Sequence, residues 1–268
     1  MAKIGVIHYN FPGFTWEGFL DFCVETGYRF VELQIGDVWP PDEREPEKRA
    51  ERVRRDLEVR GLKASALAAG NDFVLLDREA IREQVERMRR ICCDLAPIVG
   101  TDVIRTEGGR PKGEVPPERY AEAISGCLKR CVPFIEEAGI KLALDNHGPV
   151  TNDAELQVEI FQRVGSKNVG ANLDTMNYRW FGHDLETVGR FYETIAPYVF
   201  HTHLKDGTGS RGDYRGAALG EGETDLGKAI ECLRKVGYDG VWCVEYEGPE
   251  TEGGVGYAKC YRWAVANL

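Results

Sequence analysis

What this chain lacks narrows its nature before any motif is read. No apolar run approaches the ~18 residues that cross a bilayer, so no membrane segment is expected. The opening MAKIGVIHYN turns polar before a long apolar stretch forms, and no secretory leader is expected either. The eight cysteines contain no CxxC pair, and Cys92, Cys127, Cys131 and Cys232 fall inside helical patterns. Such scatter excludes a disulfide scaffold and points to reduced, packed thiols in a cytoplasmic setting. Basic residues are in deficit, 34 Lys and Arg against 44 Asp and Glu, for a net charge of −10. That balance argues against nucleic acid as a partner, since no basic stripe is available to follow a phosphate backbone. No GxGxxG follows the first apolar run, which weakens a dinucleotide-binding reading. No Ser/Gly-rich linker or low-complexity tract divides the chain, so a single domain over residues 1–268 is expected.

With 43 % hydrophobic residues the chain can bury a sizeable core, and the pattern shows how. Eight short apolar runs, KIGVIHY, FVELQI, LKASALA, DVIRT, IKLALDN, VGANLD, YVFHTHL and GVWCVEY, read as strands buried on both faces. Amphipathic stretches lie between them. Ile81, Val85, Met88, Cys92 and Leu95 recur at helical spacing, as do Leu226, Ile230, Leu233 and Val236, with Gly237 as a stop. Asn152 with Glu155 reads as a capping box for the helix carrying Leu156, Ile160 and Val164. Eight strand–helix pairs favour an α/β fold closed as a (β/α)8 TIM barrel over an open, doubly wound sheet. Two connections exceed a minimal loop, Trp39 to Pro46 and Gly207 to Gly222, the latter with Arg211 and Arg215; both are candidate lids over a substrate.

Four of the runs end in a side chain that binds metals: Asp145, Asp174, His203 and Glu245. The first three follow one another at intervals of 29 residues, and the fourth comes 42 later. One strand plus its crossover helix takes roughly 30 residues in such a barrel, so the four belong at the C-terminal ends of successive strands, where these barrels keep their active sites. Buried carboxylates there are costly unless paired or bound to a cation. Three carboxylates and an imidazole make a hard, oxygen-rich site for a divalent ion. His203 is preferred over His201 as the ligand because it lies nearer the C-terminal end of its strand. Around this set stand candidate substrate contacts: His147 and Lys205, each two residues past a ligand; His8, Glu32 and Arg105, near the ends of strands one, two and four; Asn71 and Asp72 at the third; Asn177 and Arg215; and Trp39, Trp180 and Phe11 as apolar walls.

The segments GIKLALDNHG, VGANLDTMNY, HTHLKD, LGEGETD and GYDGVWCVEYEG resemble the sugar phosphate isomerase/epimerase superfamily of xylose isomerase-like TIM barrels, which includes ketose 3-epimerases, inosose dehydratases and endonuclease IV. The resemblance implies a divalent ion, Mn2+, Mg2+ or Co2+ with Zn2+ as a further option, on Asp145, Asp174, His203 and Glu245. Two positions depart from the pattern. Relatives commonly carry Glu where Asp145 stands, and many carry His where Asn177 stands, an amide that can hydrogen-bond a hydroxyl but cannot shuttle a proton.

The expected function is therefore a metal-dependent isomerase or epimerase of a ketose or related polyol, with Asp145 and Glu245 moving a proton through an enediolate. The alternative is a dehydratase of a keto-sugar or inosose. A hydrolase of abasic DNA is disfavoured by the charge and by too few further ligands, and a non-catalytic barrel by the intact ligand set. A homo-oligomer is left open.

Overall fold

The computed structural model describes residues 2–268. Its eight parallel strands are β1 (Ile4–Ile7), β2 (Phe30–Gln34), β3 (Lys63–Ala68), β4 (Val103–Thr106), β5 (Lys141–Asp145), β6 (Val169–Asp174), β7 (Val199–Leu204) and β8 (Trp242–Val244). Each pairs with its sequence neighbours, and β8 closes on β1 through Ile4 opposite Trp242 and Val6 opposite Val244. The result is the (β/α)8 TIM barrel as one domain, with every expected strand present. Eight helices follow the strands in turn: α1 (Trp16–Thr26), α2 (Pro46–Glu58), α3 (Arg78–Arg90), α4 (Tyr120–Ala138), α5 (Ala154–Val164), α6 (Leu185–Ile195), α7 (Leu226–Lys235) and α8 (Val255–Asn267).

Local chemistry sets the helix ends. Thr15 and Asp77 accept backbone N–H bonds that would otherwise be orphaned in the first turns of α1 and α3. At α5 the cap is Asp153, which accepts from Leu156 N at 3.0 Å, rather than the expected Asn152. Asn152 instead donates to Gly148 O, tying the β5–α5 loop. Outward strand residues such as Val6, Leu33, Leu142, Leu144 and Leu173 are fully buried under the helices.

Inside the barrel, alternation with a period of two layers the side chains. Phe200 packs with Ala66, Val103 and Ala143, and Ile7, Val241 and Cys243 pack with Phe30, so an apolar plug fills the N-terminal end. Gly170 makes room for it, since a Cβ there would lie 2.2 Å from Tyr198 O and 2.7 Å from the Phe200 ring. Above the plug the inward positions turn polar. Register shifts at Val31/Glu32 and Ala171/Asn172 aim this polar layer, and Asn172 and Asp174 come level with His201 and His203.

The Gly207–Gly222 connection forms an antiparallel hairpin of Asp206–Thr208 with Arg215–Ala217. Its anchor is Asp206, which is buried and accepts from the backbone N–H groups of Gly207, Gly220, Gly222 and Thr224, and from the Thr224 hydroxyl. Gly222 is required there, because a Cβ would meet Asp206 Oδ1 at 2.1 Å. All eight cysteines are free thiols and seven are buried. Among the described residues no helix is long and apolar enough to cross a membrane.

Candidate metal centre and barrel mouth

Strands β6, β7 and β8 bring Asp174, His203 and Glu245 together at the C-terminal end, with one ligand atom from each lying within 4.8 Å of the others. All three are buried. Each side of the His203 ring has its own task. Nε2 lies 2.6 Å from Glu32 Oε2, while Nδ1 lies 2.9 Å from Glu245 Oε2 and 3.9 Å from Asp174 Oδ2. Burial works against the charged ring, but Glu32 and Glu245 outweigh it and hold His203 well above its usual range, so the ring donates to a carboxylate on each side. A cation would take the place of the Nδ1 proton while Nε2 stays anchored on Glu32. Asp174 is aimed in the same way. Its Oδ1 accepts from Met176 N and Asn177 N at 2.8 and 2.9 Å, which leaves Oδ2 facing the centre.

Asp174 Oδ2 and His203 Nδ1 are buried without a well-formed hydrogen bond among the described residues. Each instead has an oppositely charged neighbour at 2.9 Å, Lys205 Nζ beside Asp174 Oδ2 and Glu245 Oε2 beside His203 Nδ1, contacts that a cation could replace. Two carboxylates and an imidazole therefore fit a divalent cation, and these residues could hold one. A second grouping of Glu32, His203 and Cys243 does not fit as well. Its carboxylate is already engaged by Arg105 and His203, and burial pushes the Cys243 thiol well above its usual range.

Charges run through the whole site. Burial pushes the Asp174 carboxyl up to about 6, with the charges of Glu245 and Asp145 adding to it against the pull of Lys205. Burial also works against the Glu32 carboxylate, but His203 and Arg105 outweigh it and hold the group at about 2. Burial lowers His201 to about 4, so this ring is neutral; it bonds Asn172 Oδ1 at 2.9 Å in the barrel interior and stands apart from the three clustered ligands.

The fourth expected ligand, Asp145, stands outside the cluster. Its Oδ2 accepts from Arg105 Nη1 at 2.9 Å and its Oδ1 from Asn172 Nδ2 at 2.9 Å, so both oxygens are occupied. Glu32 and Arg105, expected at the substrate, lie behind the ligands instead, joined by a 2.7 Å ion pair with Glu32 fully buried. His8 is a further correction. Ile7 faces inward, so strand alternation turns His8 outward, where it stacks on Phe19 and pairs with Asp37 at 2.9 Å. Arg215 is exposed on the hairpin and does not line the mouth. Asn71 bonds the Glu107 backbone and Asp72 pairs with Lys112, both as loop structure. Phe11 stacks on Tyr257, Trp39 lies under Arg90, and no residue of the Trp39 to Pro46 connection lines the mouth cavity.

Four expected contacts do converge on the opening. His147, Asn177, Trp180 and Lys205 line a cavity of about 390 Å3 together with Tyr9, Asn10, Gly148, Tyr214 and Glu247. Tyr9, Tyr214 and Glu247 were not anticipated. Glu247 repeats the step of two that takes Asp145 to His147 and His203 to Lys205, and alternation from Ile7 leads to Tyr9. No local sequence signal marks Tyr214, which the hairpin delivers so that its hydroxyl donates to Glu247 at 2.9 Å. Lys205 is almost fully buried, its ammonium 2.9 Å from Asp174, 3.1 Å from Glu245 and 3.6 Å from Glu247.

A closed barrel with Asp174, His203 and Glu245 grouped at its C-terminal mouth defines a TIM barrel with a candidate metal centre, and comparison with known proteins narrows it. Residues 20–263 match the family model described as xylose isomerase-like TIM barrel, and the chain belongs to that family. It is 30 % identical over 122 residues to the uncharacterized protein MJ1311 of Methanocaldococcus jannaschii, a match spanning 44 % of this chain and 41 % of that relative. Its fold is similar to that of the IOLI protein solved with a zinc atom, at TM-score 0.78 and 19 % identity over 98 % of this chain and 96 % of the other. It is similar to a xylose isomerase-like barrel from Mycobacterium smegmatis solved with magnesium, at 0.77 and 18 % over 99 % and 96 %. It is also similar to D-psicose 3-epimerase solved with D-fructose, at 0.73 and 15 % over 98 % and 97 %. At such identities these likenesses speak for the fold.

Proposed function

We propose that the protein is a divalent-metal-dependent isomerase or epimerase of a ketose or related polyol. The observation that carries this reading is the grouping of Asp174, His203 and Glu245, all buried and each offering a ligand atom within 4.8 Å of the others, at the mouth of a barrel in this family. Asp174, His203 and Glu245 would hold the ion, which supplies Lewis acidity to a substrate carbonyl and so acidifies the neighbouring C–H. Mn2+, Mg2+, Co2+ and Zn2+ all suit the donor set. Glu245 sets Oε2 beside His203 and Oε1 on the Lys205 ammonium, a flexible side-chain partner, and it is the group that takes the proton once that contact is released. Asn177, Trp180 and His147 line the space for a sugar-sized substrate.

A second reading, elimination of a β-hydroxyl, is favoured by one observation. Both oxygens of Asp145 are taken by Arg105 and Asn172, so the second base that two-sided epimerisation needs is engaged. His147, half-exposed and 3.8 Å from Asp145, then becomes the proton donor to the leaving hydroxyl. Deuterium uptake from solvent into a panel of ketoses and inososes, after reconstitution with Mn2+, tests both. Exchange with net inversion or carbonyl transfer supports the first reading, exchange with loss of water supports the second, and no exchange in any substrate contradicts both.

A further inference from the structure

We propose that Lys205 is a displaceable internal cation: its ammonium holds the ligand carboxylates in the metal-free protein and moves to Glu247 when a divalent ion binds. The inference rests on the metal reading above and concerns what this chain does with the site before the ion arrives.

Lys205 lies two residues beyond His203, on the same inward face of the barrel and one step closer to the mouth. Its ammonium is almost fully buried and sits among three carboxylates, Asp174, Glu245 and Glu247. The contacts differ in quality. Lys205 donates a well-formed hydrogen bond to Glu245 Oε1 at 3.1 Å. It lies 2.9 Å from Asp174 Oδ2, yet that oxygen has no hydrogen bond of acceptable geometry among the described residues. The ammonium therefore balances the Asp174 charge at 2.9 Å while its formed hydrogen bond goes to Glu245.

The cluster is rich in carboxylates, with Asp174, Glu245 and Glu247 all within 3.6 Å of one ammonium and His203 beside Glu245 at 2.9 Å, so cations compete for the same oxygens. A divalent ion on Asp174 and Glu245 would repel an ammonium left in contact with the same oxygens, and in a buried site that repulsion is strong. The side chain has somewhere to go. Glu247 is already 3.6 Å from the ammonium, lines the mouth, and is steadied by the Tyr214 hydroxyl at 2.9 Å. There the released ammonium faces His147, Asn177 and Trp180 across the cavity, placed to hydrogen-bond a substrate oxygen. Lys205 would thus be a positioning residue in the metal-bound protein and a substitute cation without metal.

The experiment is Mn2+ binding to metal-stripped full-length protein, read as free Mn2+ by electron paramagnetic resonance, for wild type, Lys205→Met, Glu247→Gln and the double variant. Lys205→Met is expected to bind Mn2+ about tenfold or more tightly than wild type, because no ammonium has to move. Glu247→Gln is expected to weaken binding in the wild-type background and to have a much smaller effect beside Lys205→Met. Equal or weaker binding by Lys205→Met, or an equal effect of Glu247→Gln in both backgrounds, overturns the proposal and leaves the metal reading standing. No Mn2+ binding by any variant overturns the metal reading as well. Reductive methylation of the wild type followed by mass spectrometry keeps the test independent of variant folding. Lys205 should be protected without metal and modified with Mn2+; protection in both states overturns the displacement.

Discussion

The two walls of the barrel mouth both bury a Glu and an Asp beside a cationic side chain, and they compensate those carboxylates differently. On the wall from β2 to β5, Glu32, Arg105 and Asp145 form a closed run of ion pairs at 2.7 and 2.9 Å, and Asn172 from β6 takes the last Asp145 oxygen. On the wall from β6 to β8, Asp174 and His203 each keep an atom that nothing among the described residues hydrogen-bonds. Burial penalises charge equally on both. The first wall offsets that cost with guanidinium and amide hydrogen bonds to every carboxylate oxygen of Asp145, while the second, open wall relies on Lys205 and His203, partners that a cation could replace. A buried carboxylate therefore marks a functional site by how replaceable its partners are, more than by its burial.

Breaking the open wall should cost most in chemistry. Glu245→Gln is expected to lower solvent exchange at the substrate carbon by ~10²–10⁴, as loss of a catalytic base does, with the fold retained by circular dichroism. Near wild-type exchange would remove Glu245 from proton transfer. Breaking the closed wall should cost most in stability. Arg105→Met strands Glu32 and Asp145, and urea unfolding should show a loss of about 3–5 kcal/mol. A loss near zero would mean that the ion-pair run is not what holds this wall.

The link between the walls is Glu32 on His203. Glu32→Gln should weaken Mn2+ binding by roughly 10–100-fold, since it removes the carboxylate that orients the ring and keeps Nδ1 basic. Unchanged affinity would place His203 outside the ligand set. Asp145→Glu sharpens the comparison further, because one more methylene lets the carboxylate reach past Arg105 toward the cluster. We expect it to create or raise 3-epimerase activity on a free ketose. A wild type that already epimerises as efficiently as the variant would contradict the assignment of Asp145 to the scaffold. The smallest effect belongs to His8, which faces outward. His8→Ala should leave exchange rates within about twofold and cost under about 1 kcal/mol, the range of ordinary substitutions. A loss of exchange comparable to that of Glu245→Gln would return His8 to the site.

Much of this was readable in one dimension. A strand buried on both faces must be apolar throughout, so VGANLD and GVWCVEY declare themselves, and a carboxylate at the end of such a run is conspicuous because it is costly. Their position at the ends of successive strands, 29 and then 42 residues apart, placed Asp174, His203 and Glu245 at one end of a barrel. Alternation from Ile7 carried the correct facing of His8 and Tyr9 as well, and the step of two past Glu245 carried Glu247.

Other assignments depended on distance across the fold. Arg105 and Asp145 are 40 residues apart, and Glu32 and His203 are 171 apart. Nothing in their local sequence says which carboxylate meets a guanidinium and which meets an imidazole. That choice follows from barrel closure and from the register shifts at Val31/Glu32 and Ala171/Asn172, which rotate inward residues by amounts no periodicity predicts. Tyr214 reaches the mouth because Asp206 gathers the N–H groups of a glycine-rich turn around itself. Residue order along the strands thus settled which groups face inward and at which end they stand. Pairing among those groups was settled in three dimensions, because electrostatic compensation depends on separations of a few ångströms between segments that the chain itself keeps far apart.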